Sequence, residues 1–216
     1  MERGRSRKAR SGCLGRIFGF VLFLIVAAVG VIAAVKYMPS RERADLDALY
    51  AAGGSDRVAL YLNYERQEES GVYVDGQTYL PAAWVDANLN ERFYWDANEE
   101  ILVYALPEEI VKSDETTVDE DGKKILYRDG DAVYLSLALI QKYTDVRLQA
   151  YDGEAEERVF VENNWDPVTV ADAAWSAKIR LRGGLKSPIV TEIKRGGTVT
   201  VLEQYDNWAR VMTPDG

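Results

Sequence analysis

The chain has 216 residues, a net charge of −9 and 47% hydrophobic residues, which fits two or three small folded domains and excludes wholesale disorder. It contains no histidine, which excludes Ser-His and Cys-His catalysis and imidazole-ligated zinc or copper. Residues 37–176 carry 12 basic and 30 acidic side chains. A duplex-binding protein needs a concentrated basic face, so we expect no nucleic-acid partner.

The N-terminal part of the chain has the composition of a membrane anchor. Nineteen uncharged residues run from Ile17 to Val35, and as a helix they would span roughly 28 Å, close to the ~30 Å hydrocarbon core. Positive charge stays on the cytoplasmic side, and six cations precede the run: Arg3, Arg5, Arg7, Lys8, Arg10 and Arg16. We therefore predict a basic cytoplasmic tail (1–16), a single span (17–37) and extracytoplasmic C-terminal domains.

Two other interpretations of this segment remain open. A cleaved signal peptide would have a shorter apolar core and a clear small-residue cleavage site, for which Ile32-Ala33-Ala34 is a poor candidate. The single cysteine, Cys13, precedes the apolar run. It is either a reduced thiol or a site of reversible palmitoylation at the inner surface. The extracytoplasmic part has no second cysteine, so its stability depends on its core.

A short stalk helix is predicted over residues 40–54. Ser40 is a suitable N-cap for a helix from Arg41 to about Ala52, and Gly53-Gly54 would end it.

Residues 57–162 contain the same order of elements twice. In the first copy, strand 58–62 is followed by a hairpin that turns at Asp75-Gly76, a helix from Pro81 to about Leu89, and strands 92–95 and 101–105. In the second copy, a hairpin turns at Asp129-Gly130, a helix spans 136–143, and strands 146–151 and 158–161 flank Asp152-Gly153. Tyr79-Leu80 aligns with Tyr134-Leu135, which indicates a duplicated α+β unit.

The run VYVDGQTYLPAAWVDANLNERFYWDANEEILVYA resembles the copper amine oxidase N-terminal-like repeat. That family has a short hairpin, a Leu-Pro step into a helix, and a Trp-Asp turn between two strands. The resemblance covers about residues 57–162 and implies an accessory or interaction domain of secreted bacterial proteins. It does not imply copper chemistry, which needs histidine ligands and another domain.

After a linker (163–176), residues 177–216 alternate short strands with glycine or Asp-Asn turns, the pattern of a small all-β barrel. The strands are predicted at 178–182, 189–193, 198–203 and 208–212. Ile179-Arg180-Leu181-Arg182, Gly197 to Leu202 and Trp208-Ala209-Arg210-Val211 resemble the strands of a bacterial SH3 domain. That family continues with a further strand after Asp-Gly, so we expect the barrel to be incomplete and the sequence to be part of a longer protein.

The acidic pairs do not predict a catalytic site, because adjacent strand residues point to opposite faces. We expect no catalytic residue, metal site or cofactor in this segment. Asp119-Glu120-Asp121-Gly122 fits a hairpin turn, with calcium binding as the alternative. Trp84 and Trp95 are predicted core residues. Trp208 is either barrel core or a stacking platform for a sugar or peptide, and Arg180, Arg182 and Arg210 are either solvated or attract anionic wall polymers.

Three functions are consistent with these features. The first is a membrane-anchored accessory region that positions the protein at the cell wall and binds peptidoglycan through Trp208, Arg180, Arg182 and Arg210, as the SH3 resemblance implies. The second is the non-catalytic N-terminal part of a family 18 glycoside hydrolase, an architecture implied by the combined resemblances. The third is a protein–protein assembly module without wall binding.

Overall fold

The computed structural model describes residues 11–54, 56–151, 158–165 and 167–216, without the side chains of residues 11–16. The basic tail up to Arg10, the side chain of Cys13 and the Asp152-Gly153 turn lie outside this description. In chain order the elements are α1 (Ser11–Tyr37), α2 (Leu46–Tyr50), β1 (Arg57–Leu62), β2 (Glu65–Val74), β3 (Gln77–Pro81), α3 (Ala82–Asn88), β4 (Phe93–Asp96), β5 (Ile101–Ala105), β6 (Ile110–Ser113), β7 (Leu126–Asp129), β8 (Ala132–Ser136), α4 (Leu137–Tyr143), β9 (Arg147–Tyr151), β10 (Arg158–Glu162), β11 (Thr169–Asp172), β12 (Ala177–Arg180), β13 (Ile189–Ile193), β14 (Thr198–Gln204) and β15 (Ala209–Met212).

The chain forms two compact units. The first contains the described residues up to Arg43 together with Lys178–Thr191. Its helix α1 is long and apolar enough over Ile17–Tyr37 to cross a membrane, and none of that stretch is buried against protein. Pro39 cannot continue a helix, which explains why α1 ends at Tyr37.

The second unit contains Ala44–Ala177 and Glu192–Gly216 and is built on a seven-stranded sheet. The strand order is β7-β8-β3-β2-β1-β10-β9. All neighbours are antiparallel except β1 and β10, where Ala59 pairs with Arg158 in parallel. The sheet therefore brings the first and last strands of residues 57–162 together at its interior.

Alternation along the strands places one apolar face of this sheet in a single core. Leu60, Leu80, Leu135, Val159 and Val161 are all 0% exposed, and the same cluster takes in helices α3 and α4 and strands β4 and β5. The predicted core residue Trp84 is 3% exposed, and Trp95 packs partly buried against the same cluster. The prediction for Trp84 is confirmed, whereas Trp95 lies at the edge of the core.

Asp-Gly turns position the hairpins as the sequence predicts. Asp75 and Gly76 have φ values of 51° and 76°, the left-handed geometry that closes a two-residue hairpin between β2 and β3. Gly130 has φ 61° between β7 and β8. Ser136 caps α4, because its Oγ accepts a hydrogen bond of 3.2 Å from Leu139 N.

Two small three-stranded sheets complete the second unit. One has the order β4-β5-β6 and the other β11-β14-β15. Arg158 is 7% exposed, and its guanidinium fixes the backbone at Gly216 by donating to the Gly216 carbonyl at 3.0 Å. Its guanidinium also lies 4.4 Å from the ring centroid of Tyr50.

Several predicted boundaries were wrong. The stalk helix over residues 40–54 is only α2, Leu46–Tyr50, and it is capped by Asp45, whose side chain accepts from Ala48 N. Ser40 lies before α2 begins, and its Oγ accepts a hydrogen bond of 3.1 Å from Glu42 N instead. The predicted linker 163–176 contains strand β11, which pairs with β14 from Thr169↔Val201 to Asp172↔Thr198.

The four strands predicted between residues 177 and 216 are present as β12 to β15, and they are distributed over two sheets. Strands β12 and β13 form a two-stranded sheet, and β14 and β15 join β11. The resemblance did not indicate β11 as a partner of β14, because its residues were assigned to the linker.

Candidate binding surface

The four residues predicted to bind a wall polymer fall into two separate groups. Arg180 and Arg182 belong to the first unit, and Trp208 and Arg210 belong to the second. Arg180 and Arg182 therefore contact different residues from Trp208 and Arg210.

Arg180 is engaged with the backbone of its own unit. Its guanidinium donates to the carbonyl of Ser187 at 2.5 Å and to that of Ser40 at 3.1 Å. The side chain of Arg182 is exposed, while its backbone N–H donates to Ser187 Oγ at 2.9 Å. Arg180 thus fixes the loop between β12 and β13, and Arg182 projects from that loop.

Trp208 lies at the turn that joins β14 to β15. The turn is closed by a hydrogen bond of 2.8 Å from Tyr205 N to the Trp208 carbonyl. A second hydrogen bond, of 2.8 Å from Gln204 Nε2 to the Tyr205 carbonyl, also stabilises the turn. Tyr205 is 55% exposed and Trp208 38% exposed, so a short, hydrogen-bonded turn presents two aromatic side chains to solvent.

Arg210 connects this turn to the seven-stranded sheet. Its Nη1 lies 2.6 Å from Glu65 Oε1 and 3.0 Å from Glu203 Oε1. Its Nη2 donates to the carbonyl of Tyr64 at 2.9 Å. The hydrogen bond to Glu65, followed by that to Glu203, raises the pKa of Arg210. With two carboxylates in contact, the guanidinium is locally neutralised and holds β15 against the start of β2.

Tyr205 and Glu203 form a second contact beside Arg210. The Tyr205 hydroxyl donates to Glu203 Oε2. That bond and the nearby Arg210 guanidinium lower the pKa of Glu203, and the Glu203 carboxylate raises the pKa of Tyr205. The ionised carboxylate therefore orients the Tyr205 ring.

Two further exposed tryptophans were not predicted as site residues. Trp165 is 54% exposed with the Arg147 guanidinium 5.2 Å from its ring, and Trp175 is 75% exposed with Arg195 at 5.4 Å. Both lie in residues 163–176, which the sequence analysis treated as a linker. The occurrence of two tryptophans in this one short segment could have indicated an exposed aromatic surface.

A chain of contacts joins Trp165 to the Tyr205–Trp208 turn. Arg147 Nη1 lies 3.0 Å from Glu162 Oε2. Burial, with a hydrogen bond to Glu162, raises the pKa of Tyr64 to about 12. The Tyr64 carbonyl in turn accepts from Arg210. We call Trp165, Arg147, Arg210, Tyr205 and Trp208 the aromatic–arginine surface.

This surface offers exposed aromatic rings that could contact a ligand. Exposed indole and phenol rings can stack on the apolar faces of sugars or on peptide side chains. Within the described residues, no group of three or more Cys, Asp or Glu side chains is arranged to hold a metal ion. At the alternative calcium segment, Asp119 Oδ1 accepts from the backbone N–H groups of Asp121 at 3.0 Å and Lys123 at 2.8 Å, so it forms a turn.

A concave region is formed by residues between 92 and 145. It is an open groove of about 460 Å³ that includes Arg92, Tyr104, Tyr143 and Asp145. The Tyr104 hydroxyl donates to the Tyr143 carbonyl at 3.1 Å, and the two rings are 4.2 Å apart. These contacts tie β5 to α4 beneath the groove.

Comparison with known proteins gives no match to a family model, a curated protein or a solved structure.

Proposed function

We propose that this chain is a membrane-anchored extracytoplasmic binding module that holds its protein at the cell wall, and that it binds peptidoglycan through the Tyr205–Trp208 turn. The observation that carries the proposal is the exposure of both rings, 55% and 38%, on a turn closed by its own backbone hydrogen bond. A turn of this kind loses little conformational entropy when its rings contact a ligand.

The anchor is the first element of the proposal. Helix α1 is long and apolar enough to span a bilayer, and the cations of the sequence before Ile17 orient its N-terminus toward the cytoplasm. The acidic domain that follows is then extracytoplasmic.

The aromatic–arginine surface supports a binding mode based on stacking. Aromatic anchors account for most of the binding energy at many interfaces, while exposed charges contribute less. Arg210 is already paired with Glu65 and Glu203, so it supplies little free positive charge. Wall binding through this surface therefore depends weakly on salt, unlike nonspecific attraction of a cationic patch to an anionic polymer.

Residues 57–162 act in this proposal as a spacer derived by duplication. Support comes from the register of β3 and β8, in which Leu80 pairs with Leu135, Tyr79 with Ser136 and Pro81 with Tyr134. The sequence alignment makes Leu80 equivalent to Leu135 and Tyr79 equivalent to Tyr134. A local twofold relationship would bring equivalent residues together in this way. The strands after residue 176 belong, in the same proposal, to an SH3-like domain.

A pull-down with purified peptidoglycan sacculi tests wall binding. The full chain in mild detergent is mixed with sacculi at low and at physiological salt, and the retained fraction is measured. We expect Trp208→Ala to lower affinity about tenfold, the loss typical of removing an aromatic anchor. Tyr205→Ala should have a smaller effect in the same direction.

The matched control is Trp175→Ala, which removes an exposed indole that lies beside Arg195 at the other end of β14. It should leave retention unchanged. Absence of retention of the folded wild-type chain at either salt concentration would refute wall binding by this segment. Equal retention of the Trp208→Ala variant would refute the assignment to the turn.

A further inference from the structure

The loop of residues 181–188, between β12 and β13, lies against the C-terminal end of the anchor helix. Lys186 Nζ donates to the Val35 carbonyl at 2.6 Å, and Ser40 N donates to the Leu185 carbonyl at 2.7 Å. Val35 is in the last turn of α1, and Ser40 follows the helix by three residues. The loop is therefore attached at the point where the chain leaves the helix.

The length of α1 places that point at the edge of a bilayer. From Ile17 to Tyr37 the helix has 21 residues, or about 31 Å, which matches a hydrocarbon core of about 30 Å. A loop bonded to Val35 and Ser40 then lies at the level of the lipid headgroups.

The loop has the side chains of an interfacial segment. Leu181 and Leu185 are 40% and 45% exposed, and Arg182 and Lys186 beside them are also exposed. Arg182 and Lys186 are the charged residues of the 181–188 sequence, which contains no acidic residue. Leucine with flanking cations is the combination that binds the interface of an anionic membrane.

The backbone of this loop is held in place from within its own unit. Leu181 N donates to the Pro188 carbonyl at 3.0 Å, and Ile189 N donates to the Glu42 carbonyl at 2.8 Å. Arg180 bonds the carbonyls of both Ser187 and Ser40. The two leucines are therefore exposed on a loop whose backbone is fixed by hydrogen bonds.

We propose that the 181–188 loop is a second membrane contact, in which Leu181 and Leu185 enter the headgroup layer while Arg182 and Lys186 bind anionic lipid phosphates. This inference rests on the anchor in the proposed function. It assigns Arg182 to the lipid surface, and it assigns Arg180 to positioning the loop.

Depth-dependent fluorescence quenching tests the contact. The full chain with Cys13→Ser and Leu185→Cys is labelled with an environment-sensitive dye and reconstituted in vesicles of phosphatidylcholine with or without phosphatidylglycerol. Quenchers are placed near the headgroups or deep in the acyl chains. We expect the dye to be quenched by the shallow quencher, and more strongly with phosphatidylglycerol.

Charge variants test the role of the cations. Each cation near an anionic surface contributes about a fivefold preference for it, so Arg182→Gln with Lys186→Gln should abolish the phosphatidylglycerol dependence. Lys178→Gln, an exposed cation outside the loop, is the matched control and should retain it.

A second labelled position separates this inference from the anchor. Val26 is 62% exposed near the middle of α1, and a dye at Val26→Cys should be quenched by the deep quencher in every lipid mixture. Quenching at position 26 without quenching at position 185 overturns the loop contact and leaves the anchor standing. Absence of quenching at position 26 overturns the anchor itself.

Discussion

Leu80 and Leu135 lie opposite each other across the antiparallel pair β3 and β8, and both are 0% exposed. They lie in the second and third strands of the seven-stranded sheet, where the β7–β8 hairpin meets the β2–β3 hairpin. The contact therefore joins the two hairpins within one hydrophobic cluster.

Truncation of either leucine should destabilise the second unit strongly. We expect Leu80→Ala and Leu135→Ala each to lower the free energy of unfolding by about 2–5 kcal/mol, through lost burial and the cavity left behind. The double variant should lose less free energy of unfolding than the two single variants lose together, because the two cavities merge. Chemical denaturation of the full chain in detergent, followed by near-UV circular dichroism, measures these losses. Val170→Ala, at a 60% exposed position, should change stability by under about 0.5 kcal/mol.

The turn between β1 and β2 depends on Asn63. This residue has φ 48°, and its Oδ1 accepts from Asn163 N at 3.1 Å and Asn164 N at 3.2 Å. Its Nδ2 donates to Asn163 Oδ1 at 2.7 Å. We expect Asn63→Ala to cost about 1–3 kcal/mol, from unpaired polar groups and the left-handed backbone.

Glycine at this position separates the two contributions. Asn63→Gly loses the same side-chain bonds but tolerates positive φ, so it should be less destabilising than Asn63→Ala in the same thermal unfolding assay. The exposed Asn98 provides a control, since Asn98→Ala should be nearly neutral. Equal losses for Ala and Gly at position 63 would show that backbone strain contributes nothing there.

The ion pair between Arg210 and Glu65 should be worth little in stability, although its Nη1–Oε1 distance is 2.6 Å. The two side chains are 40% and 68% exposed, and solvent screens such pairs. A double-mutant cycle with Arg210→Gln and Glu65→Gln should give a coupling energy of about 0.2–1 kcal/mol. The coupling should fall at high salt. A coupling that is insensitive to salt would contradict this assignment.

Alkaline pH should weaken the second unit through Tyr64. Burial, with the hydrogen bond to Glu162, raises its pKa from 10.0 to about 12, so the folded state favours the neutral phenol. The stabilisation is fully present below pH 10 and is lost as the pH rises toward about 12. Unfolding midpoints measured across this window should fall less steeply for Tyr64→Phe than for the wild-type chain. Tyrosinate absorbance should lose its latest-titrating component in the same variant.

Local signals in the sequence were sufficient to predict the hairpins and the apolar helix over Ile17–Tyr37. Asp75-Gly76 and Gly130 need left-handed backbone, and Ser136 is a good N-cap, so these elements were predicted close to their observed bounds. The apolar run before Pro39 likewise defined α1. In each case the neighbouring residues alone fix the geometry.

Other elements depend on partners far away in the chain. The first half of β2, Glu65–Ser70, is polar and lacks apolar alternation, and it becomes a strand because it pairs with β1. Strand β11 similarly forms against β14. The predicted stalk helix was longer than α2 because Arg43 bridges to Ile189 and Ser40 N donates to the Leu185 carbonyl, so this segment is extended.

The candidate surface was predicted in part. Trp208 was singled out, and it is exposed at a turn. Pairing of Arg210 with Glu65 could not be predicted, because the two residues are 145 positions apart. Arg180 looked like a free cation in the sequence, whereas backbone carbonyls from two segments surround it.

The parallel pairing of β1 with β10 sets the order in which the domain can be completed. Asn63 and Asn163, at the ends of these strands, are 100 residues apart, and synthesis proceeds at about 5–20 residues per second. For several seconds the edge of β1 has no native neighbour, and an open strand edge can pair with another chain. The polar, carboxylate-rich start of β2 (Glu65, Glu68 and Glu69) would keep the emerging hairpin soluble during this interval. The sheet can therefore close around β1 only after residue 162 has been synthesised.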